Sequence, residues 1–297
     1  MHALFQKLFL TNSYFTIAIR RRSARGILRK SDFTPEFVMP ARVEKWSADP
    51  ILAEDHGRTW LFYEAVENDH GHIEVAEVQK DCTLGAPAVL LKDDCHYSYP
   101  FVFRWEGVWY MIPESSAAEE VRLYRAERFP DRWTLQEVLL RARAVDTTVY
   151  EQDGRLILLT FLTDGASERV TPKAYVLCLR NGGVELRPLD WAQFDPLQVR
   201  GAGPVFSEEG GLYRPVQVSQ AQRYGDAVSI FRICDRDSAH TEEPAALLKT
   251  PDGKCAGLYV DGAHTYCRST EFEAIDLRCR DFDFWKIPRK LLHRFGN

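Results

Sequence analysis

Nowhere in the chain do about 18 apolar residues follow one another, so no stretch is suited to cross a membrane as a helix. Pairs of the Cys-x-x-Cys type are also missing. Cys82, Cys95, Cys178, Cys234, Cys255, Cys267 and Cys279 are scattered and odd in number, which suits reduced thiols and argues against a disulfide scaffold. No glycine loop that could cradle phosphate, no Ser-His-Asp arrangement and no metal-ligand spacing is present, so the expectation is no cofactor and no metal. No basic stripe interleaved with aromatics occurs, and a net charge of −5 with a pI near 5.9 offers polyanions no general attraction. Nucleic acid is therefore excluded as a partner. Met1 to Leu10 is apolar, but Lys7 interrupts it and no small-residue cleavage site precedes Arg20-Arg21-Arg22, so it does not read as a secretory signal.

What the chain does have is aromatic residues, 7 Trp, 12 Tyr and 17 Phe, arranged in a repeat of about fifty residues. Ala48-Asp49-Pro50-Ile51-Leu52 turns through Gly57 into Thr59-Trp60-Leu61-Phe62-Tyr63-Glu64. Ser98 to Phe103, a turn at Gly107 and Val108 to Glu114 repeat that pattern. Val145 to Tyr150 with Arg155 to Thr160, Arg200 to Phe206 with Leu212 to Gln217, and Ala263 to Cys267 with Phe272 to Asp276 continue it. Short aromatic and β-branched strands at this period predict an all-β protein, a five-bladed β-propeller in one domain over 1–297. The blades are expected at 46–92, 96–141, 145–190, 199–248 and 256–280, the last completed by a strand at 14–20 that closes the ring and removes an open edge. Ser31 to Lys45 reads as a link, Thr163 to Lys173 as a polar loop, and Arg289 to Phe295 as a short basic helical tail that either packs on the propeller or touches anionic lipid.

In an antiparallel hairpin the start of the first strand and the end of the second lie together. One mouth of the ring should therefore collect Asp49 and Glu64; His96, Tyr97, Ser98 and Glu114; Asp146 and Thr160; Arg200 and Gln217; and His264 and Asp276. Carboxylates, an arginine and a histidine in a concave mouth suit a glycan, with Tyr63, Tyr97, Tyr99 and Trp105 as platforms or, alternatively, as packing between blades. Cleaving a glycoside needs one carboxylic acid to protonate the leaving oxygen and one carboxylate as base or nucleophile. Asp49 and Asp146 are candidates for the base and its support, and Glu114 for the acid; the plainer alternatives are a turn at Asp49-Pro50 and a loop cap at Glu114. Arg200 and Arg214 either bind an anionic group on the ligand or neutralise the mouth, and His264 either orients a ligand or serves the fold.

Ser47 to Pro50, Leu61-Phe62-Tyr63-Glu64, His96 to Phe103, Tyr110 to Ser115, Phe129-Pro130-Asp131-Arg132-Trp133 and Tyr213 to Gln217 together resemble the N-terminal domain of plant glucosamine inositolphosphorylceramide transferase and its stand-alone bacterial relatives. The resemblance runs roughly from Tyr14 to Arg278 and reaches more distantly to the five-bladed arabinanase, xylosidase and invertase-like glycoside hydrolases. It implies a base or nucleophile at Asp49 and a tuning carboxylate at Asp146. The hydrolases' acid, a Glu opening blade four, has Ala202 in its place. The loss of a proton donor removes a factor of about 10²–10⁴ in rate. Three outcomes stay open: Glu114 or Glu64 replaces the acid, the protein transfers sugars, or it binds glycan without chemistry. The expected setting is cell-surface polysaccharide or glycolipid metabolism in a bacterial cytoplasm, at most peripheral to the inner membrane, beside a glycosyltransferase partner.

Overall fold

The computed structural model describes residues 13–281, apart from 30, 165–169, 181–182, 190–198, 221–222, 237–238 and 252. The amino-terminal apolar stretch and the expected helical tail both lie outside the described residues.

The chain begins with β1 (Tyr14–Arg21) and the short β2 (Phe37–Val38). Blade one follows as β3 (Lys45–Asp55), β4 (Arg58–Glu67), β5 (His70–Val78) and β6 (Ala88–Leu91). Blade two is β7 (Ser98–Trp105), β8 (Val108–Glu114), β9 (Val121–Arg128) and β10 (Arg132–Leu140). Blade three is β11 (Ala144–Gln152), β12 (Arg155–Thr163), β13 (Val170–Arg180) and β14 (Gly183–Leu189). Blade four is β15 (Phe206–Glu208), β16 (Gly211–Gln220), β17 (Arg223–Arg236) and β18 (Ala239–Leu247). The fifth sheet holds β19 (Gly253–Cys255), β20 (Leu258–Gly262), β21 (Tyr266–Arg268) and β22 (Phe272–Arg280), with β1 paired to β22 and β2 to β1. The protein is thus an all-β, five-bladed propeller, with a single 3-10 turn at Ser116–Ala118 among the described residues. Two local expectations need correction. The stretch read as a link supplies the edge strand β2, and the polar loop is shorter than expected, because β13 already begins at Val170.

The hairpins owe their regularity to two backbone devices. At the turn end, His56-Gly57, Glu106-Gly107, Asp153-Gly154, Glu209-Gly210 and Ala256-Gly257 all have positive φ at both positions, the type I′ turn whose twist matches that of paired strands. At the opposite end, the ladder slips between Ala48 and Ile51, between Ser98 and Phe101, and between Val145 and Thr148. Each slip is a β-bulge carrying one residue at positive φ: Asp49 at 52°, Tyr99 at 41° and Asp146 at 51°. An L-residue there costs about 1–2 kcal/mol, so packing must over-determine the conformation, and the bulge re-aims the side chain toward the ring's interior. Strand β3 touches both β7 and β21, and β7 touches β11, which brings the bulged ends of neighbouring blades together. Buried apolar clusters fill the gaps between blades, with Ile51, Phe62, Phe101 and Met111 in one and Tyr14, Val228, Tyr266 and Ile275 in another.

Candidate active site

The bulged ends surround a cavity of about 180 Å³. Eight of the expected residues line it: Asp49, Glu64, His96, Ser98, Glu114, Asp146, Arg200 and His264. Wider depressions on the outer surface, of about 320 and 440 Å³, lack this concentration of acid and base groups. Thr160 and Asp276 are fully buried and do not line it, and three of the expected ligand contacts lie elsewhere. Gln217 is buried beneath the cavity, its amide donating to Gly201 O at 2.8 Å and reaching Asp146 Oδ1 at 3.5 Å. Arg214 is turned away and held in two bonds by Glu242, at 2.6 and 2.7 Å. The Tyr97 hydroxyl meets Arg122, Asp93 and Tyr124 inside blade two.

Two charge clusters build the floor. In the first, Arg200 grips Asp146 with two nitrogens, Nε to Oδ2 at 2.6 Å and Nη2 to Oδ1 at 3.1 Å, a bidentate pair that keeps Asp146 in place. Glu114 sits beside it, accepting from Asp146 N–H at 3.2 Å and from the Ser116 hydroxyl at 3.1 Å. Burial pushes the Glu114 carboxyl up to about 7, the Asp146 charge adds to the push, and Arg200 opposes it. In the second cluster, Asp276 accepts the backbone N–H groups of Asp49, His264 and Thr265 at 3.0, 2.9 and 2.9 Å and lies 2.5 Å from His264 Nδ1. Asp49 accepts from the Thr265 hydroxyl at 2.7 Å and Tyr99 N–H at 3.1 Å, with His264 Nε2 at 3.6 Å. Burial raises Asp49 to about 7 against the pull of His264. Burial alone would lower His264, but Asp276 and Asp49 outweigh it and carry the imidazole to about 9.

The first proton therefore belongs to Glu114 rather than Asp49. Each accepts from one hydroxyl and one amide, but Asp49 also faces an imidazolium that favours its anion, whereas among the described residues Glu114 has no cation in ion-pair range. Asp49, His264 and Asp276 also place ligand atoms within 4.8 Å of one another, a spacing open to a metal ion. Those atoms already serve each other, and a cation would have to displace the His264 proton.

Glu64 forms the third wall, 3.0 Å from His96 Nε2. Gly71 N–H donates to His96 Nδ1 at 3.0 Å, so the neutral ring carries its proton on Nε2 and gives it to Glu64; that bond also raises the histidine's affinity for a second proton. A side chain at Gly71 would place its first carbon 2.5 Å from Glu64 Oε1 and 2.8 Å from the His96 ring.

Of the two readings of the expected aromatics, packing between blades holds. Tyr63 and Tyr99 are fully buried, bonded to Glu74 in one case and to Thr148 and Gly203 N–H in the other, and Trp105 packs on an interior cluster. The rings at the mouth are Phe15, Trp46 and Tyr224. None belongs to the repeated hairpin positions, so the repeat held no signal for them. Thr265 was missed likewise, although it adjoins His264.

The family described as glucosamine inositolphosphorylceramide transferase 1, N-terminal, matches residues 38–254. Curated relatives are plant proteins: glucosamine inositolphosphorylceramide transferase 1 of Oryza sativa subsp. indica is 34% identical over 196 residues, covering 63% of this chain and 26% of its own. The protein of the same name from Arabidopsis thaliana is 27% identical over 231 residues, covering 70% and 28%. The chain thus spans about a quarter of the length of these relatives, and they give no support to a bacterial source. Among solved structures, an α-L-arabinofuranosidase from Lactobacillus brevis superposes with a TM-score of 0.55 at 15% identity, covering 75% of this chain and 80% of that one. That likeness concerns the fold.

Proposed function

We propose that this chain, which belongs to the family of glucosamine inositolphosphorylceramide transferase 1 N-terminal domains, cleaves a terminal sugar from a glycan or glycolipid at the mouth of its propeller. A carbohydrate-related role follows from the family and the glycoside-hydrolase-like fold. The observation that carries the finer reading is the pairing of unlike carboxyls on one small cavity: Glu114, pushed up to about 7, beside an Asp146 pinned by Arg200, with Asp49 on the same cavity. Glu114 gives its proton to the glycosidic oxygen as the bond to the anomeric carbon breaks. A water molecule attacks that carbon and passes its proton to Asp49, which restores both groups after one further exchange with solvent. Arg200 holds Asp146 in a bidentate grip beside Glu114, and the Asp146 charge favours the proton staying on Glu114.

The volume supports a single sugar ring as occupant, since it falls below the roughly 300–1,000 Å³ of sites for larger ligands. On this reading the β1–β22 pairing closes the ring, and the relatives' printed name supports a glycolipid as the larger molecule, handled together with a transferase. Ala202 favours a second reading. It is fully buried at the position where the resemblance to the hydrolases implies their acid, and a propeller that only binds glycan has no need of one.

A release assay on furanosyl, pyranosyl and acidic glycans decides between them. Asp49→Asn and Glu114→Gln are each expected to lower turnover by about 10²–10⁴. Binding of one glycan class by the wild type with no release of sugar sinks the hydrolase and leaves the binding propeller.

A further inference from the structure

The mouth is two-sided. Glu64, Glu114 and Asp146 of blades one to three stand on one side. On the other, three rings follow one another: Trp46 lies 5.8 Å from Phe15, and Phe15 lies 6.4 Å from Tyr224, centroid to centroid. Phe15 also stacks on His264 at 4.3 Å. A sugar ring has the same division, hydroxyls along its edge and a C–H face that stacks on aromatic rings.

Phe15 is buried, but Tyr224 keeps 45% of its surface exposed at the rim. Its ring meets His264 edge-on at 5.1 Å, and the Arg200 guanidinium lies 5.2 Å from its centre, so it touches both charge clusters. An exposed tyrosine at the end of a strand would ordinarily wander. Here the start of β17 is bolted down from beneath. Arg278, on β22 and only 1% exposed, donates to Tyr224 O, to Asp226 Oδ1 at 3.0 Å, to Asp261 Oδ1 at 2.7 Å and to Asp261 O at 2.9 Å. Gly225, at φ +70°, presses so close that a side chain on neighbouring Gly262 would come 2.2 Å from its carbonyl oxygen. A buried guanidinium that ties the start of β17 to Asp261 of β20 fixes where Tyr224 stands.

Resting on the sugar-site reading above, we propose that the arc Trp46–Phe15–Tyr224 is the wall on which the sugar's apolar face stacks, and that Arg278 is the positioning residue that holds Tyr224 in it. Tyr224 touches the sugar; Arg278 acts through Tyr224.

The test uses the full chain and a panel of p-nitrophenyl glycosides comprising arabinofuranoside, xylopyranoside, glucopyranoside, N-acetylglucosaminide and glucuronide, with KM, kcat and calorimetric Kd as readouts. Tyr224→Ala is expected to raise KM and Kd about tenfold, and Tyr224→Phe to stay near wild type, because stacking needs the ring and not the hydroxyl. Arg278→Lys keeps the charge beside Asp261 but loses the fork, so it should follow Tyr224→Ala in KM while kcat stays within about twofold, a split that general loss of folded protein does not produce. Should Arg278→Lys fail to fold, Asp226→Asn loosens the start of β17 from its other side and should raise KM likewise. Unchanged affinity in Tyr224→Ala overturns the wall while the hydrolase stands. Unchanged KM in both Arg278→Lys and Asp226→Asn overturns the positioning role. A wild type that neither binds nor cleaves any of the glycosides removes the sugar site and this inference with it.

Discussion

Two half-buried glutamates, Glu114 of blade two and Glu242 of blade four, have been treated in opposite ways. Glu242, on the flank of blade four, is shielded from water, yet Arg214 and His240 more than repay the burial, and its carboxyl is held down at about 2. Glu114 is shielded at the mouth and receives no such partner, and its carboxyl rises to about 7. The flank spends its cation on stability. The mouth directs its arginine to Asp146 instead and leaves Glu114 holding a proton that can be given away. Burial is common to the two, so the placement of one guanidinium decides the difference.

The largest expected effect lies on the flank. Arg214→Ala strands Glu242 without its ion partner and should cost about 3–5 kcal/mol in urea unfolding. A smaller value would mean that the flank is no better balanced than the mouth.

His264 gives the next. Its folded-state value of about 9 lies above the ordinary 6.5, so the stabilisation is complete below pH 6.5 and drains away as the pH rises through about 9. Asp49 and Glu114 act in the same sense in a lower window, complete near pH 4 and gone above about 7. Unfolding free energy should therefore fall by roughly 3 kcal/mol between pH 6.5 and 9.5, and His264→Gln should flatten that part of the curve. Glu242 has the opposite sign: its contribution is present above about pH 4.5 and is lost only as the pH falls through about 2.

The smallest effect returns to Glu114. Replacing it with Gln at pH 8 removes a charge that Asp146 repels, so the variant should be more stable by about 1 kcal/mol while losing turnover. A destabilised Glu114→Gln would place this carboxylate with Glu242, as a structural group.

The sequence revealed the hairpin repeat because the same backbone devices recur in successive blades, leaving an X-Gly turn and a strand-opening residue at a regular period. Asp49, Glu114 and Asp146 were legible as mouth residues for that reason. Arg214 and Gln217 were grouped together wrongly for a physical reason: residues three apart on a strand point to opposite faces, so one could reach the mouth cluster only if the other turned away. The same alternation separates Tyr97 from Ser98. Phe15, Trp46 and Tyr224 were illegible because their meeting depends on how β1 and blades one and four are brought round, and no local pattern encodes that. The partner of each buried charge was hidden likewise, since Arg278 and Tyr224 stand far apart along the chain and meet only through tertiary packing.

The pairing of β1 with β22 has a bearing on time. Tyr14 to Arg21 are synthesised long before Phe272 to Arg280, and the two strands then match along eight residue pairs. Phe15 meets His264 only after His264 has been made, and Tyr224 meets Arg278 only after β22 has been made. A growing chain can hold Asp49, Glu114 and Asp146 in three folded blades and still have no finished pocket. The aromatic side of the mouth is complete only once β22 has joined β1.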